Sequence, residues 1–394
     1  MKFKLYIGID WANDKHDLST QLPDGTRTFS VIKSSPESID TWLLDLHKRY
    51  KGKIAIALEL SKGLIVYALQ KYDFVTLFPV KPLMLARYRQ AFYPSGAKDD
   101  PTDAELALDL LLNYPDKVKS FEQQSVLTRK LAFLVEQRRR LLEDKRRFAN
   151  RVIDNLKQYY PQPLYWFSQR DSVLFRDFLT KWPSLQKLKR SRENTVRAFF
   201  HSYGGNAVTL TEKRIDSINA AIALTSDEAI IETHQLMTLT LVQQLRTAVL
   251  SIRVFDAEIN TLFCEVPDAP LFNSLPGTGP CLAPRLFVAF GEVRERFNSA
   301  EEIQKYAGIA PVTERSGQKS WVHWRWQCST FLRQSFIEWA AKSVNTSYWA
   351  GIYYQQQRGK GNSHQKAVRA LAFKWIRILY RCWKTKKIMM SQNI

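Results

Sequence analysis

Residues 127–160, LTRKLAFLVEQRRRLLEDKRRFANRVIDNLKQYY, contain neither glycine nor proline, and their apolar residues recur at intervals of three and four. Leu127, Leu131, Leu134, Leu141, Phe148 and Ile153 fit one stripe of a single long helix. A second long helical pattern, HQLMTLTLVQQLRTAVLSIRVFDAEINTLF, lies within residues 225–265. Two such helices flanking a shorter, basic, mixed stretch (161–205) predict an antiparallel coiled-coil arm over residues 121–265, an element suited to assembly. The other faces of the first helix carry Arg138, Arg139, Arg140, Lys145, Arg146, Arg147 and Arg151. Such a run is either a solvated face or one turned toward nucleic acid; a run so little relieved by acids favours the second.

The whole chain leans the same way. Lys and Arg number 58 against 38 Asp and Glu, a formal net charge of +20. A polyanion is the natural partner, because each cation set on a phosphate releases counterions. An acidic membrane surface is the competing reading, but no lipidation motif or anchor accompanies the charge. No apolar run approaches the roughly 20 residues needed to cross a bilayer, and MKFKLYIGIDWA reads as a strand rather than a signal peptide. The expectation is a cytoplasmic, nucleoid-associated protein without a membrane partner. Cys264, Cys281, Cys328 and Cys382 are far apart and form no CxxC pair, so they read as reduced core thiols rather than zinc ligands. At 394 residues the chain exceeds one comfortable core.

The first 120 residues alternate in type. KLYIGIDWA reads as a strand, and HDLSTQ and RTFSVIK flank Leu22-Pro-Asp-Gly25 as a hairpin. Pro36–Tyr50 is helical in spacing, with Ser35 as its cap. KIAIALELS is a buried strand, Lys62–Lys71 a helix and DFVTLFPV another strand, followed by a short helix, a polar loop and the helix Ala104–Leu112. A strand meander followed by alternating helices and strands predicts a mixed sheet covered by helices.

This region places acids where apolar strands end. Asp10 closes GIDWA and Glu59 sits in ALELS; a carboxylate there is costly unless it stands at a strand's edge or is bound. In SGAKDDPTDAE, Asp100-Pro101 reads as an N-cap with Pro at N1, and Asp103 as an N3 acid facing the helix dipole. The same spacing sets Asp100 and Asp103 on one face. Mg²⁺ takes oxygen ligands from a few carboxylates, and pairs of ions roughly 3.5–4 Å apart serve phosphodiester chemistry. Cap and metal site both fit this stretch.

A boundary falls near Glu265–Pro270, and residues 266–394 are aromatic and basic. Gly277 and Gly279 in LPGTGP resemble a helix-hairpin-helix turn, where backbone amides approach phosphate, although a plain connecting turn fits equally. Ser316-Gly317 alone says turn. Arg315, Lys319 and Arg325 nearby in sequence are placed to hold a phosphate at Ser316. No histidine base stands beside it, His323 being near in sequence only. SWVHWRW reads as an alternating strand whose tryptophans Trp321, Trp324 and Trp326 serve either core packing or base stacking. A helical tail starts at Ser363.

Together, GIDWA, ALELS and KDDPTDAE at one end, and LPGTGPCLAPRL and FNSAEEIQKYAGIAPVTERSG at the other, resemble the DEDD transposases of bacterial insertion sequences, the insertion-sequence one-ten family. The resemblance covers most of the chain, more weakly at 160–225. It implies an α/β plus α architecture: an RNase H-like (RuvC-like) catalytic domain at 1–120, the helical arm at 121–265, and a mainly helical transposase domain at 266–394. It implies a metal set of Asp10, Glu59, Asp100 and Asp103, with the DxxDA spacing favouring Asp100 over its neighbour Asp99, and a nucleophilic serine at Ser316 that forms a covalent phosphoserine–DNA intermediate. It also implies Mg²⁺, double-stranded donor and target DNA, a structured guide RNA encoded by the element, and a dimer or tetramer whose active sites combine the acidic domain of one protomer with the serine domain of another. Two rival readings are a metal-dependent nuclease or junction resolvase without serine chemistry, and a non-catalytic nucleic-acid scaffold.

Overall fold

Leu22-Pro-Asp-Gly25 reverses the chain: Gly25 takes φ +88°, and its amide donates to the Leu22 carbonyl at 3.0 Å. This turn joins β2 (Lys15–Gln21) to β3 (Arg27–Lys33), which pair antiparallel. The computed structural model describes residues 3–59, 63–92, 100–121, 124–203 and 208–389, with only the backbone of Asp100, Pro101 and Val208. The chain divides into two compact units, Met1–Gln123 and Gln124–Ile394.

In the first unit β1 (Leu5–Trp11) pairs antiparallel with β2 and parallel with β4 (Ile54–Leu58), which pairs parallel with β5 (Val75–Pro79). The strand order is β3-β2-β1-β4-β5, a mixed five-stranded sheet. Strand alternation sorts the two faces. Leu5, Ile7, Ile9, Ile54, Ile56 and Leu58 pack with Ile39 and Leu43 of α1 (Pro36–Tyr50) and with α2 (Leu64–Leu69). Tyr6, Ala55 and Ala57 turn the other way, under Leu85 of α3 (Pro82–Phe92) and Leu106, Ala107 and Leu110 of α4 (Asp100–Asn113). Ser35 caps α1 as its sequence predicts, its Oγ accepting from the Ser38 amide at 3.2 Å.

The second unit is mostly helical: α5 (Val126–Leu156), α6 (Pro163–Trp166), α7 (Val173–Lys181), α8 (Leu185–Lys189), α9 (Glu193–Ser202), α10 (Val208–Ala220), α11 (Glu228–Cys264), α12 (Ala269–Asn273), α13 (Gly279–Phe290), α14 (Ala300–Tyr306), the strands β6 (Val312–Ser316) and β7 (Lys319–His323), then α15 (Thr330–Ser343), α16 (Tyr348–Gly359) and α17 (His364–Thr385). The helices α5 and α11, 31 and 37 residues long, span about 46 and 56 Å at 1.5 Å per residue. They pack against each other antiparallel. Leu131 and Val135 share a core with Ile259 and Phe263 at one end, and Val152 and Leu156 share another with Ile231, Leu241 and Val242 at the opposite end.

Each end carries its own core. One is closed by α6–α10. The other is built on Trp339, Trp375 and Trp383, all fully buried. Their indole N–H groups donate to Pro276 O, Ser343 Oγ and Gly291 O at 3.0, 2.7 and 2.9 Å. The buried face of α5 also includes Thr128 and Asn155, which an apolar pattern does not mark. Asn155 Nδ2 donates to His234 O and Thr238 Oγ1, both at 2.8 Å, so its burial is matched by partners. No described helix is long and apolar enough to cross a membrane, and the four cysteines are free.

Candidate active site

Two acids of the first unit, Asp10 and Glu59, follow paired residues at one end of its sheet. Ile9 of β1 stands beside Leu58 of β4 in parallel register, and Asp10 and Glu59 are the next residue on each. Alternation carries Asp10 to the same face as Gly8, and carries Glu59, one residue past β4, to the face of Ala57. That face is roofed by α4. Its approach is set by Gly8: a methyl there would overlap the Ala104 carbonyl oxygen and lie 2.6 Å from the Leu108 amide nitrogen. Farther along α4, Asp109 accepts from Arg27 at 2.7 Å. Arg27 stands opposite Gln21, which stands opposite Tyr6. Arg27 also reaches Glu105, just past the first turn of α4, at 3.4 Å.

Asp103, in that first turn, is 4% exposed. Its carboxylate is held by the Arg89 guanidinium of α3; an ionised group so buried needs such a partner. Among the described residues α4 starts at Asp100; the expected cap rests on residues outside them. The Asp100 side chain, and all of Asp99, lie outside the described residues, as does any choice between the two as ligand.

One acid escaped the sequence reading. Asp17 of β2 is the register partner of Asp10 and is 3% exposed. Like charges directly opposite on one face repel, and Lys15 Nζ lies 3.8 Å from Asp17. A lone acid in HDLSTQ looks like any polar strand position; only the β1–β2 register reveals it. Among the described residues no three Asp, Glu, His or Cys side chains form a metal-binding group. The candidate donors are all carboxylate oxygens, the type a hard divalent cation takes, with one oxygen of Asp103 held by Arg89.

Ser316 ends β6 at the tip of a two-stranded hairpin. Gly317 turns it with φ +58°, as a tight hairpin turn requires. Ser316 is paired directly with Lys319, and every residue of the hairpin from Thr313 to His323 is exposed. The register corrects the expected phosphate cluster. Arg315 neighbours Ser316 in the strand and so points to the opposite face. Arg325 is occupied at the hairpin base, where Nε donates to Ala310 O at 3.1 Å and Nη2 to Pro311 O at 3.3 Å. Lys319 alone of the three stands across from the serine. His323 pairs with Val312 at the far end, four residues from Lys319 or about 13 Å along the strand. Its Nε2 lies 3.4 Å from Glu314, so His323 is not the serine's base.

The basic face of α5 is also less free than its composition. Arg139 bonds Glu143 at 2.6 Å, Arg140 bonds Glu136 at 3.2 Å and Lys145 bonds Asp171 at 2.6 Å. Arg138 pairs with Asp256 of α11, and Arg147 with Asp144. Acids three or four residues away pair with Arg139, Arg140 and Arg147, and acids from elsewhere in the chain with Arg138 and Lys145. Arg138, Lys145 and Arg146 instead line a cleft of about 380 Å³ with Arg170, Arg285 and Glu338. Gly277 (φ +77°) is explained by packing, since a methyl there would sit 3.0 Å from the Lys342 and Ser343 backbone; Gly279 (φ +53°) opens α13 with free space beside it.

Known proteins share these features. A family model for DEDD transposases of the IS110 type, described as "Transposase", matches residues 7–161, and one described as "Transposase IS116/IS110/IS902 family" matches residues 269–355. The chain is 28% identical over 400 residues to the mini-circle putative transposase for IS117 of Streptomyces coelicolor, covering 99% of this chain and 96% of that protein. It is 26% identical to the uncharacterized 43.6 kDa protein of insertion element IS110 of the same organism, over 73% of this chain and 71% of the relative. It is 22% identical to the uncharacterized 44.8 kDa protein of insertion element IS116 of Streptomyces clavuligerus, over 98% and 96%. The first match takes in the sheet with its acids and the second takes in the serine hairpin, so the chain belongs to the IS110 family of insertion-sequence transposases, enzymes that act on DNA.

Proposed function

We propose that this transposase cuts and rejoins DNA with two chemistries, a carboxylate-bound divalent metal in the first unit and Ser316 in the second. The observation that carries the reading is the serine's setting: it stands exposed at the tip of a hairpin with Lys319 directly across from it. Ser and Gly also suit a plain turn; the lysine paired with it is what sets this serine apart. The strand order β3-β2-β1-β4-β5 supports an RNase H-like first domain.

Asp10, Glu59, Asp103 and Asp100 would hold the metal, Mg²⁺ being the best match to an all-carboxylate set. When bound, it supplies charge stabilisation to the phosphodiester oxygens. Asp17 backs Asp10 across the register. Arg89 holds the Asp103 carboxylate in place. In the second unit Ser316 Oγ gives up its proton to solvent and forms a bond to phosphorus as one P–O ester bond of the strand breaks, and the departing oxygen takes a proton to leave as a hydroxyl. The phosphoserine conserves the bond for rejoining, and Lys319 offsets the charge that builds on phosphate.

A structured guide RNA, and composite sites in a dimer or tetramer, complete this reading on the strength of the family resemblance and the net charge of +20. The arm built of α5 and α11 is then the assembly element. The test is strand exchange by Ser316→Ala: loss of joined product with DNA binding kept is expected, and undiminished recombination refutes the serine step.

A further inference from the structure

A two-stranded ribbon alone is marginal in water and has no second layer to cover aromatic side chains. The serine hairpin nevertheless carries three tryptophans through its second strand and just beyond it, and none is buried. Trp321, Trp324 and Trp326 are 45%, 41% and 79% exposed. Trp321 shares the face of Ser316: it pairs with Glu314 and stands two residues from Lys319, about 7 Å along the strand. Trp324 is fixed rather than free. The Arg369 guanidinium carbon lies 3.4 Å from its ring centroid and that of Arg333 5.0 Å. Trp326 lies 6.3 Å from Trp324, centroid to centroid, and faces solvent.

The charge around these rings is uncompensated. Arg325, Arg333 and Arg369 surround the hairpin base, and among the described residues none has a carboxylate within ion-pair distance. They are tied down by neutral groups instead: Arg369 to Ile309 O and Gly308 O, both at 2.9 Å, Arg333 to Arg325 O and to Cys328 Sγ, and Arg325 to Ala310 O and Pro311 O. Burial and the neighbouring Arg333 charge press on the Arg369 guanidinium, lowering its pKa. Rigid guanidinium groups fixed beside open indole faces suit a partner that is polyanionic and presents flat π surfaces. A second copy of this hairpin would bring like charge to like charge, and an apolar protein surface would leave the arginines unmatched.

We propose that Trp321, on the face of Ser316, stacks on a base of an unpaired DNA strand with Lys319 at its phosphate, and that Trp326, past the end of β7, takes a further base of the same strand. This deepens the serine reading and rests on it for the identity of the strand. It implies that the duplex is opened where the serine acts, because a paired base has no free face to offer an exposed indole.

The test is fluorescence anisotropy of a labelled single-stranded oligodeoxynucleotide, its duplex and the RNA of the same sequence, with the full chain and its W321A, W326A and W326F variants. Loss of stacking on one base predicts a roughly 5- to 100-fold weaker single-strand affinity for each alanine variant. Duplex affinity stays near parent, and W326F recovers most of the loss. Unchanged single-strand binding by both alanine variants overturns the proposal. So does a tryptophan-dependent preference for the RNA, or loss of self-association in sedimentation with DNA binding intact. The S316A protein separates this result from the serine chemistry: it keeps the platform and binds the single strand like parent whether or not the serine step is correct.

Discussion

Gly8→Ala tests whether the close approach of α4 positions the acids. The added methyl meets two backbone atoms, the Ala104 carbonyl oxygen in overlap and the Leu108 amide nitrogen at 2.6 Å, with Leu108 Cβ at 3.0 Å. No side-chain rotation relieves a clash with backbone. To recover ordinary contact near 3.5 Å, α4 has to retreat from β1 by about 1–1.5 Å. Overpacking of this kind costs about 1–3 kcal/mol, a drop of roughly 5–15 °C in unfolding midpoint for a unit of this size. The same retreat lifts Asp103 away from Asp10 and Glu59. A misplacement of about 1 Å at a reacting centre costs on the order of 100-fold in rate. Thermal unfolding by circular dichroism and a strand-joining assay measure the two effects. Gly359→Ala, where the new methyl meets nothing within 4 Å, is the control and should match parent in both. A Gly8→Ala protein with parental stability and parental joining rate would refute the placement of α4 over the acids.

Removing Arg89 (R89Q) leaves the buried Asp103 carboxylate without its guanidinium, so stability falls by about 1–3 kcal/mol; if a divalent ion shares that carboxylate, the deficit measured in EDTA shrinks when Mg²⁺ is added. His16 is 1% exposed, and burial lowers its pKa from 6.5, Asp17 offsetting part of the effect. The unfolded chain then binds the proton more readily than the fold does. The stability His16 contributes is present above pH 6.5 and is lost as pH falls below it, so H16Q should flatten the decline in unfolding midpoint between about pH 6.5 and 5. Asn155→Ala takes its partner at 2.7 Å from His234 Nδ1 and one of two donors from Thr238 Oγ1, and should lower stability by roughly 1–3 kcal/mol in denaturant unfolding.

The order of strands and helices in the first unit was legible because its signals are local: strand alternation, a Pro-Asp-Gly turn, a Ser-Pro helix start. The two long helices were legible from their period. What depends on register or on distant partners was not. Asp17 became visible only when β2 was set against β1, and the separation of Arg315 from Ser316 only when β6 alternated. The α5 arginines looked like a bare basic stripe because Asp171 and Asp256, two of the acids that pair with them, come from elsewhere in the chain. SWVHWRW had the composition of a core strand; the structure leaves it on a ribbon with no layer above it, so composition did not fix its burial.

Mapping the covalent attachment point tests the central claim most directly. Protein trapped on a nicked or suicide DNA substrate would be digested with protease and nuclease and its nucleotide-bearing peptide sequenced by mass spectrometry. The account predicts one modified peptide carrying the nucleotide on Ser316, absent from S316A and reduced by substitution of Asp10. Efficient strand joining with no adduct, or with the adduct on another residue, would contradict it.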